Sequence, residues 1–521
     1  DGLYRELFMS PCLSGWDEGE KKHEYMRLCH EVLSRSRINA LTKLKDAGII
    51  ARNLVVLPNA SSTTLTNNGT HVSFGSRKIV SMIDQAGAAG SHLEKHFGDL
   101  AIKIAEHFLP LFVGTYSAAP HRMGFIDFHP EQALGFLPHE LDYTHLRMIW
   151  RRWKKKGRVK IFGQPITPFG PVSMDRAVGS VLRLPGDCIP DFRLLDYLVC
   201  PMSTSAAPAL SGAPDSEDRL VMNLEQMGVF HRKMPLYQIL KLRRYDAIGF
   251  SGFEARYYSQ FESFLGDMAN AVDLQRLIMA LAYSYALSGE VTHMDIPDDP
   301  FTESERRQFF FGAAIGIPTL YVHRDTRSRF MKRIIKCAGQ CRHSGRYRGY
   351  IRVQSVNYKL ACLELLERDG RNLIGSLNAS EAVADLRKRI ESPGEHSVAG
   401  RLTQRIAKRI GVRDPLKVSG QAFRKAAESM YRNELRHEQI LEAIEVMKSD
   451  VRDFELGSEK NGRYSTAVKD LLGGRSPTSF FRESCSAVPG GRCDVEELRK
   501  LIGLCLLIVR ERMDRGKGGQ S

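Results

Sequence analysis

Hydrophobic and polar positions along the first 325 residues change period repeatedly, from alternation to helical spacing and back. Short alternating or apolar runs bounded by turn residues predict β-strands. These runs are 53–57, 71–74, 111–116, 123–128, 158–162, 247–253 and 318–323. Helical spacing extends from 78 to 109, with a break near Gly87 and Gly90 and a stop at Pro110. The apolar run Leu274–Leu287 predicts a buried helix.

From about Val356 onwards the pattern is almost entirely helical. Helices are predicted at 356–368, 379–390, 400–410, 418–432, 434–455, 463–472 and 494–513. The fold class is therefore α+β: a mixed or antiparallel sheet of short strands in the first two-thirds, followed by a helical C-terminal third. We divide the chain into an N-terminal α+β region (1–165), a central α+β region (166–355) and a helical region (356–521).

Composition and charge narrow the classes of function. A chain of 521 residues is too long for one ordinary core, and its net charge of +15 favours anionic partners. Basic residues are densest at 147–160 and 324–352. The ten cysteines include no CxxC pair, which favours free thiols and a cytoplasmic location. No apolar run approaches the ~20 residues of a membrane helix, so we expect no membrane partner.

Histidines and carboxylates concentrate in the N-terminal region. Eight of the sixteen histidines lie between His71 and His145. Asp127 and His129 alternate on a predicted strand and so share a face, and Glu131 follows directly. Such a set suits Mg²⁺ or Mn²⁺ if oxygen ligands dominate, and zinc or iron if imidazoles dominate. The structural alternative is a strand end whose polar groups bond the next helix.

A second histidine pattern lies on the predicted helix before Pro110. His92, His96 and His107 are four and eleven residues apart, which places them on one stripe of a helix. They are a candidate ligand set. The alternative is that they are half-buried polar positions on an amphipathic helix.

The segment Gly249–Glu262 (GFSGFEARYYSQFE) carries the second candidate site. After the predicted strand, Glu254 and Arg256 place a carboxylate and a guanidinium on one side of the chain. This pair can hold a substrate ammonium and carboxylate, or a metal and a phosphate. A structural salt bridge is the alternative.

Glu254-Ala-Arg256, followed by the apolar helix Leu274–Leu287, resembles the Glu-x-Arg strand of the glutamate–cysteine ligase-like carboxylate–amine ligases. His71-Val-Ser-Phe resembles the central strand of that superfamily more loosely. The resemblance covers a short part of the chain. It implies ATP-dependent amide formation through an acyl phosphate, with Mg²⁺ held by carboxylates. The superfamily's N-terminal Glu-x-Glu strand has no counterpart here, which puts the metal site in question.

The basic segment 324–352 is the third candidate. Arg324, Arg327 and Arg329 would bind an anionic substrate or nucleotide, and Tyr347 and Tyr350 among further arginines would allow base stacking. A solvated helix face is the structural alternative. No P-loop, Rossmann glycine motif or GxSxG elbow occurs in the sequence.

These observations predict a metal-dependent enzyme for a small anionic substrate, most specifically an ATP- and Mg²⁺-dependent carboxylate–amine ligase. Asp127, His129 and Glu131 are the predicted metal ligands, Glu254, Arg256 and His129 the catalytic residues, and Arg324, Arg327 and Arg329 the substrate-binding residues. Mg²⁺ or Mn²⁺ and ATP are the predicted cofactors. Two alternatives stay open: a nucleic-acid-binding protein using 147–160 and 324–352, and a helical scaffold whose C-terminal third forms a partner or homo-oligomer surface.

Overall fold

The fold is that of a computed structural model of the chain. It describes residues 70–87, 90–117, 122–124, 160–161, 164–165, 212, 243–245, 250–258, 261–297, 299, 302, 305–306, 309, 319–344, 348–413, 418–458, 462–490 and 492–518. The strands are β1 (Thr70–Gly75), β2 (Arg122–Gly124), β3 (Lys160–Ile161), β4 (Gln164–Pro165), β5 (Arg243–Tyr245), β6 (Phe250–Tyr258), β7 (Thr319–His323), β8 (Arg342–His343) and β9 (Tyr350–Gln354).

The described helices are α1 (Arg77–Ala86), α2 (Gly90–Glu106), α3 (Ala269–Ser288), α4 (Arg329–Cys337), α5 (Ser355–Asp369), α6 (Arg371–Ser376), α7 (Ser380–Glu391), α8 (Pro393–His396), α9 (Val398–Ile410), α10 (Gly420–Met430), α11 (Arg436–Ser458), α12 (Gly462–Leu472), α13 (Pro477–Cys485) and α14 (Val495–Gly518). Most described residues are thus helical, and the sheets are small, as an α+β chain with a helical C-terminal third predicts. In this part of the chain, no helix is both long and apolar enough to cross a membrane.

All described strand pairs are antiparallel. The largest sheet has β6 at its centre, with β1 and β2 on its two sides and β5 also paired to it. A second sheet has the order β7-β9-β8, and β3 pairs with β4 alone. Alternation of apolar Phe253, Ala255 and Tyr257 with polar Glu254 and Arg256 suits a strand that separates a core from a polar face.

Helix α3 lies at the centre of the main core. It is apolar on nearly all sides, and Leu274, Leu277 and Ile278 are almost fully buried. It packs against α2, α7 and β1, and the same core continues into α1, α4 and α5. An all-round apolar helix is stable only in such a setting, because each of its faces needs a packing partner.

A buried ion network fixes the connection between β6 and α3. Asp267, fully buried just before α3, accepts from Arg389 at 2.5 Å and from Arg401 at 2.9 Å. Glu262 on the same connection accepts from Arg401 at 2.7 Å and from Arg405 at 3.0 Å. The connection is therefore tied to α7 and α9, which carry these arginines.

Arg389 has further hydrogen-bond partners besides Asp267. Arg389 donates to the Thr115 carbonyl at 3.1 Å, to the Gly266 carbonyl at 2.6 Å and to Asp385 at 2.7 Å. Its guanidinium stacks over the Tyr116 ring at 4.3 Å. A buried charge is tolerated only with this degree of pairing.

The described chain forms two compact units, one comprising residues 1–262 and 266–429 and the other 263–265 and 430–521. In the second unit, Val451, Phe454, Phe480 and Leu504 belong to a core formed by α11, α12, α13 and α14. Within that unit, Glu442 accepts from the Ser263 hydroxyl and from the backbone N–H groups of residues 264 and 265. The three-region division stays a prediction, because much of residues 1–355 lies outside the described residues.

Two strand predictions are wrong in detail. Residues 111–116 form no extended strand. Leu109–Leu111, which contains Pro110, is a 3₁₀ turn, and the chain then reverses at Gly114, whose φ is +78°. The strand predicted at 247–253 extends to Tyr258, so Glu254 and Arg256 lie inside it and not after it. Its polar residues alternate with apolar ones, which is compatible with a continuous strand.

We predict that Asp267→Ala lowers the free energy of unfolding of the first unit by about 3–5 kcal/mol, because the buried Arg389 and the half-buried Arg401 lose their shared carboxylate. Urea unfolding followed by far-UV circular dichroism measures this change. Asp273→Ala is the matched control: its partner Arg276 is 3.5 Å away and both side chains are partly exposed. The control is expected to cost less than about 1 kcal/mol. Equal losses in the two variants would contradict a stabilising role of the buried network.

Candidate functional site

The candidate site is one face of the sheet centred on β6. Glu254 and Arg256 are two residues apart on β6 and therefore share a face. In the register with β1, His71 lies opposite Arg256 and Ser73 lies opposite Glu254. Directly opposite residues of neighbouring strands share a face, so four chemically useful residues are placed together.

The other two neighbours of β6 add basic residues to the same face. On β2, Arg122 lies opposite Tyr258 and Gly124 lies opposite Arg256. On β5, Arg243 lies opposite Gly252. We call the set His71, Ser73, Arg122, Arg243, Glu254 and Arg256 the polar face of the sheet.

The opposite face belongs to the core. Val72, which lies between His71 and Ser73 on β1, is buried in the main core and pairs with Ala255. Phe74 opposite Phe253 shares that face by register. By register, the pleat places Val72, Phe74, Phe253 and Ala255 on the core side together with Arg244 and Ser251, and it places the polar face on the other side together with Tyr245, Phe250 and Tyr258.

Sequence reasoning singled out Glu254 and Arg256 but missed Arg122 and Arg243. Those two arginines come from segments more than a hundred residues apart, and only the strand register places them on one face. His71 and Ser73 were noted as part of a strand that resembles a known one. Their pairing with Arg256 and Glu254 spans more than 180 residues of sequence and has no local signal.

The predicted metal ligands Asp127, His129 and Glu131 lie outside the described residues. In the sequence, Asp127 follows three residues after Gly124, the end of the described β2. The convergence of these ligands with Glu254 and Arg256 therefore stays a prediction.

The predicted substrate-binding arginines lie beside the three-stranded sheet β7-β9-β8. Arg324 and Arg327 are in the turn after β7, and Arg329 begins α4. All three are exposed; Arg329 pairs with Asp295 at 3.6 Å, and Arg324 is 3.9 Å from Asp325. Helix α4 buries Phe330, Met331 and Ile334 and exposes its basic side, the arrangement typical of a solvated amphipathic helix.

The histidine stripe of α2 is divided between two environments. His92 and His96 are exposed, whereas His107, just beyond the helix end, is buried. The Nδ1 atom of His107 lies 2.7 Å from the Lys103 carbonyl, and its ring meets Phe330 edge-on. Burial, with the Arg306 charge nearby, lowers the pKa of His107 to about 3. His107 is thus a neutral core residue near pH 7.

A polar cluster that the sequence did not predict lies beside α2. The rings of His96 and His293 are 4.5 Å apart, and His293 Nε2 is 2.9 Å from the His96 carbonyl. Burial lowers the pKa of His293 to about 3. The Gly212 N–H donates to Asp99 at 2.8 Å, and a Cβ at Gly212 would lie 2.9 Å from His293, so only glycine fits here without a shift. Burial raises the pKa of Asp99 to about 6.

The described side chains do not by themselves form a metal site. Among them, no group of three or more histidine, cysteine, aspartate or glutamate side chains could hold a metal. The polar face contributes one carboxylate position, Glu254, and one imidazole position, His71. A divalent ion bound there needs further oxygen ligands, the kind that Asp127 and Glu131 carry.

Comparison of the chain with models of known protein families, with curated proteins and with solved structures finds no match.

The titration of His107 predicts a loss of stability in acid. Its pKa in the folded protein, about 3, is below the ordinary 6.5, so its contribution is complete above pH 6.5 and is lost as the pH falls towards 3. At pH 5 this histidine alone costs roughly 2 kcal/mol. Asp99 has the opposite effect on the free energy of unfolding. Because its pKa in the folded protein is raised to about 6, its contribution to stability increases as the pH falls through 6.

The measurement is the free energy of unfolding in urea at several pH values from 7 to 4. His107→Phe keeps a planar ring against Phe330 but cannot bind a proton. We expect the difference between the variant and the wild type to change by about 1.4 kcal/mol per pH unit below 6.5, in favour of the variant. Parallel pH curves would show that His107 does not titrate as its burial requires.

Proposed function

We propose that the chain is a metal-dependent enzyme that acts on a small anionic substrate at the polar face of the sheet. In its most specific form, the enzyme is an ATP- and Mg²⁺-dependent carboxylate–amine ligase. The observation that supports this most is the position of Glu254 and Arg256. They lie on the central strand, with His71 and Ser73 opposite them on one neighbour and basic residues on the others.

The charge of this face suits the chemistry of amide formation. Ligation begins when a substrate carboxylate attacks the γ-phosphorus of ATP, which forms an acyl phosphate and releases ADP. An amine then attacks the acyl carbon, and inorganic phosphate leaves. Both steps concentrate negative charge, which Arg122, Arg243 and Arg256 can neutralise by bidentate hydrogen bonds to carboxylate or phosphate oxygens.

In this proposal each residue has the role that its side-chain chemistry allows. Arg256 orients the substrate carboxylate or a phosphate, and Glu254 supplies a carboxylate for Mg²⁺ or for the substrate ammonium. Asp127 and Glu131 complete the metal site. His129 is a third ligand when coordinated, and only in an uncoordinated state is it the candidate proton acceptor for the attacking amine. Mg²⁺, when bound, would supply positive charge that offsets the phosphate charge. Arg324, Arg327 and Arg329 would attract the anionic substrates.

The alternative function is nucleic-acid binding through the basic segments. The exposed side of α4, with Lys332 and Lys336 beside Arg329, favours an anionic partner of some kind. This function predicts retention on RNA at low salt, with an affinity that falls steeply as salt increases. Absence of such retention would leave the enzyme as the better proposal.

For the ligase, we predict that the purified protein converts ATP to ADP only with Mg²⁺ and an amino-acid carboxylate, and that hydroxylamine traps the acyl phosphate as a hydroxamate. Arg256→Ala should lower kcat/KM by about 100-fold or more, because a charge that stabilises the transition state is lost. Glu254→Gln should act mainly by lowering the affinity for Mg²⁺, so that a higher Mg²⁺ concentration is needed for half-maximal turnover.

The matched control is Arg371→Ala, which removes an exposed arginine at the start of α6 and should leave turnover unchanged. Hydroxamate formation that is independent of Arg256 would place the chemistry elsewhere. If no combination of nucleotide, Mg²⁺ and amino-acid carboxylate gives ADP, the ligase form of the proposal is wrong.

A further inference from the structure

We propose that α14 is a self-association surface that pairs, antiparallel, with α14 of a second copy of this chain. The inference concerns the second compact unit and is independent of the ligase proposal. Among the described residues, α14 has an exposed apolar stripe. The stripe consists of Val495, Leu498, Ile502, Leu506, Val509 and Met513, whose exposed fractions range from 45% to 65%.

The stripe has the geometry of a helix-packing face. Its residues follow one another at intervals of three or four, and the five intervals cover 18 residues, an average of 3.6. This equals the period of an α-helix, so the stripe runs straight along one side of α14. Exposed large apolar residues are unremarkable when isolated, but a contiguous patch on the order of several hundred Å² marks an interaction site.

A different face of α14 holds the helix in its own unit. Leu501, Leu504 and Ile508 are buried in the core of the second unit. Asp514 accepts from Tyr464 at 2.6 Å, and Gly503 lies so close to Leu471 that an added Cβ would be 2.8 Å from its side chain. The exposed stripe therefore lies on a face of α14 that does not contribute to the core of its own unit.

The distribution of charge along α14 identifies a second copy as the occupant. Its N-terminal end, 494–500, has Asp494, Glu496 and Glu497 against two basic residues, a net charge of −1, and its C-terminal end, 510–518, has four basic residues against Glu511 and Asp514, a net charge of +2. In an antiparallel pair, each acidic end lies beside the basic end of the partner helix, and the two helix dipoles also oppose each other. A parallel pair would place like charges together.

One ion pair fixes the expected register. Glu496 and Arg510 are both exposed; within α14, Glu496 lies 3.4 Å from Arg499 and Arg510 lies 3.5 Å from Asp514. The two residues lie within about 40° of each other around the helix, on the same side of the stripe. Residues on the same side of two antiparallel helices meet across the interface. The two-fold axis would cross the stripe at the level of Gly503, which is midway between them in sequence. Glu496 of each copy would then meet Arg510 of the other, so the ion pair would form twice.

Sedimentation velocity and light scattering of the full chain, at about 1–100 µM, test the proposal. We expect the wild type to approach twice the mass of one chain as concentration rises. Ile502→Glu and Leu506→Glu should each keep the protein monomeric over this range, with unchanged circular dichroism and thermal midpoint, because both side chains are exposed. Met294→Glu is the matched control: it also charges an exposed apolar side chain, but outside the stripe, and should dimerise like the wild type.

Charge reversal tests the antiparallel register. Glu496→Arg and Arg510→Glu should each raise the dimer Kd by about tenfold or more, and the double variant should restore it towards the wild-type value. A wild type that stays monomeric at 100 µM overturns the proposal, as does a dimer insensitive to Ile502→Glu. Dimers in which the double variant fails to recover would overturn the antiparallel arrangement.

Discussion

Two carboxylates, the fully buried Asp267 and the largely buried Glu262, tie together the elements of the first unit. Both lie on the short connection between β6 and α3, and arginines from α7 and α9 bind them. This connection joins the strand that carries the candidate site to the helix at the centre of the core. Buried ion pairs contribute little net stability compared with an apolar core, but they are costly to leave incomplete. The network therefore specifies one position for α3 relative to α7 and α9.

The position of α3 has a direct consequence for the candidate site. Because α3 and the neighbouring helices pack on the face of the sheet that contains Val72, the opposite face is left to polar residues. Its residues come from β1, β2, β5 and β6, and no single segment contributes more than two of them. In our proposal, the arginine positions along this face favour an anionic ligand, whereas the exposed arginines beside α4 have the arrangement of a solvated helix face.

The sequence predicted the elements whose signals are local. Seven helices from 355 onwards, α3 and the strand at 71–74 follow from hydrophobic period and from glycine and proline positions, whereas the shorter helices α6, α8 and α13 were not predicted. The polar face could not be predicted in full, because strand register depends on contacts across more than a hundred residues. The histidine stripe misled for the opposite reason: helical spacing places His92, His96 and His107 on one side, but burial changes along the helix and only His107 enters the core. The ion network had no signal, since its arginines resemble surface residues in the sequence.

The most direct test of the central claim, that the polar face of the sheet binds an anionic nucleotide with Mg²⁺, is hydrogen–deuterium exchange with and without Mg²⁺ and a non-hydrolysable ATP analogue. The predicted result is slower exchange of peptides covering 70–75 and 250–258 on addition of the nucleotide, with no change in peptides covering 495–518. Unchanged exchange in both strand peptides at saturating nucleotide, or protection confined to the α4 region, would contradict it.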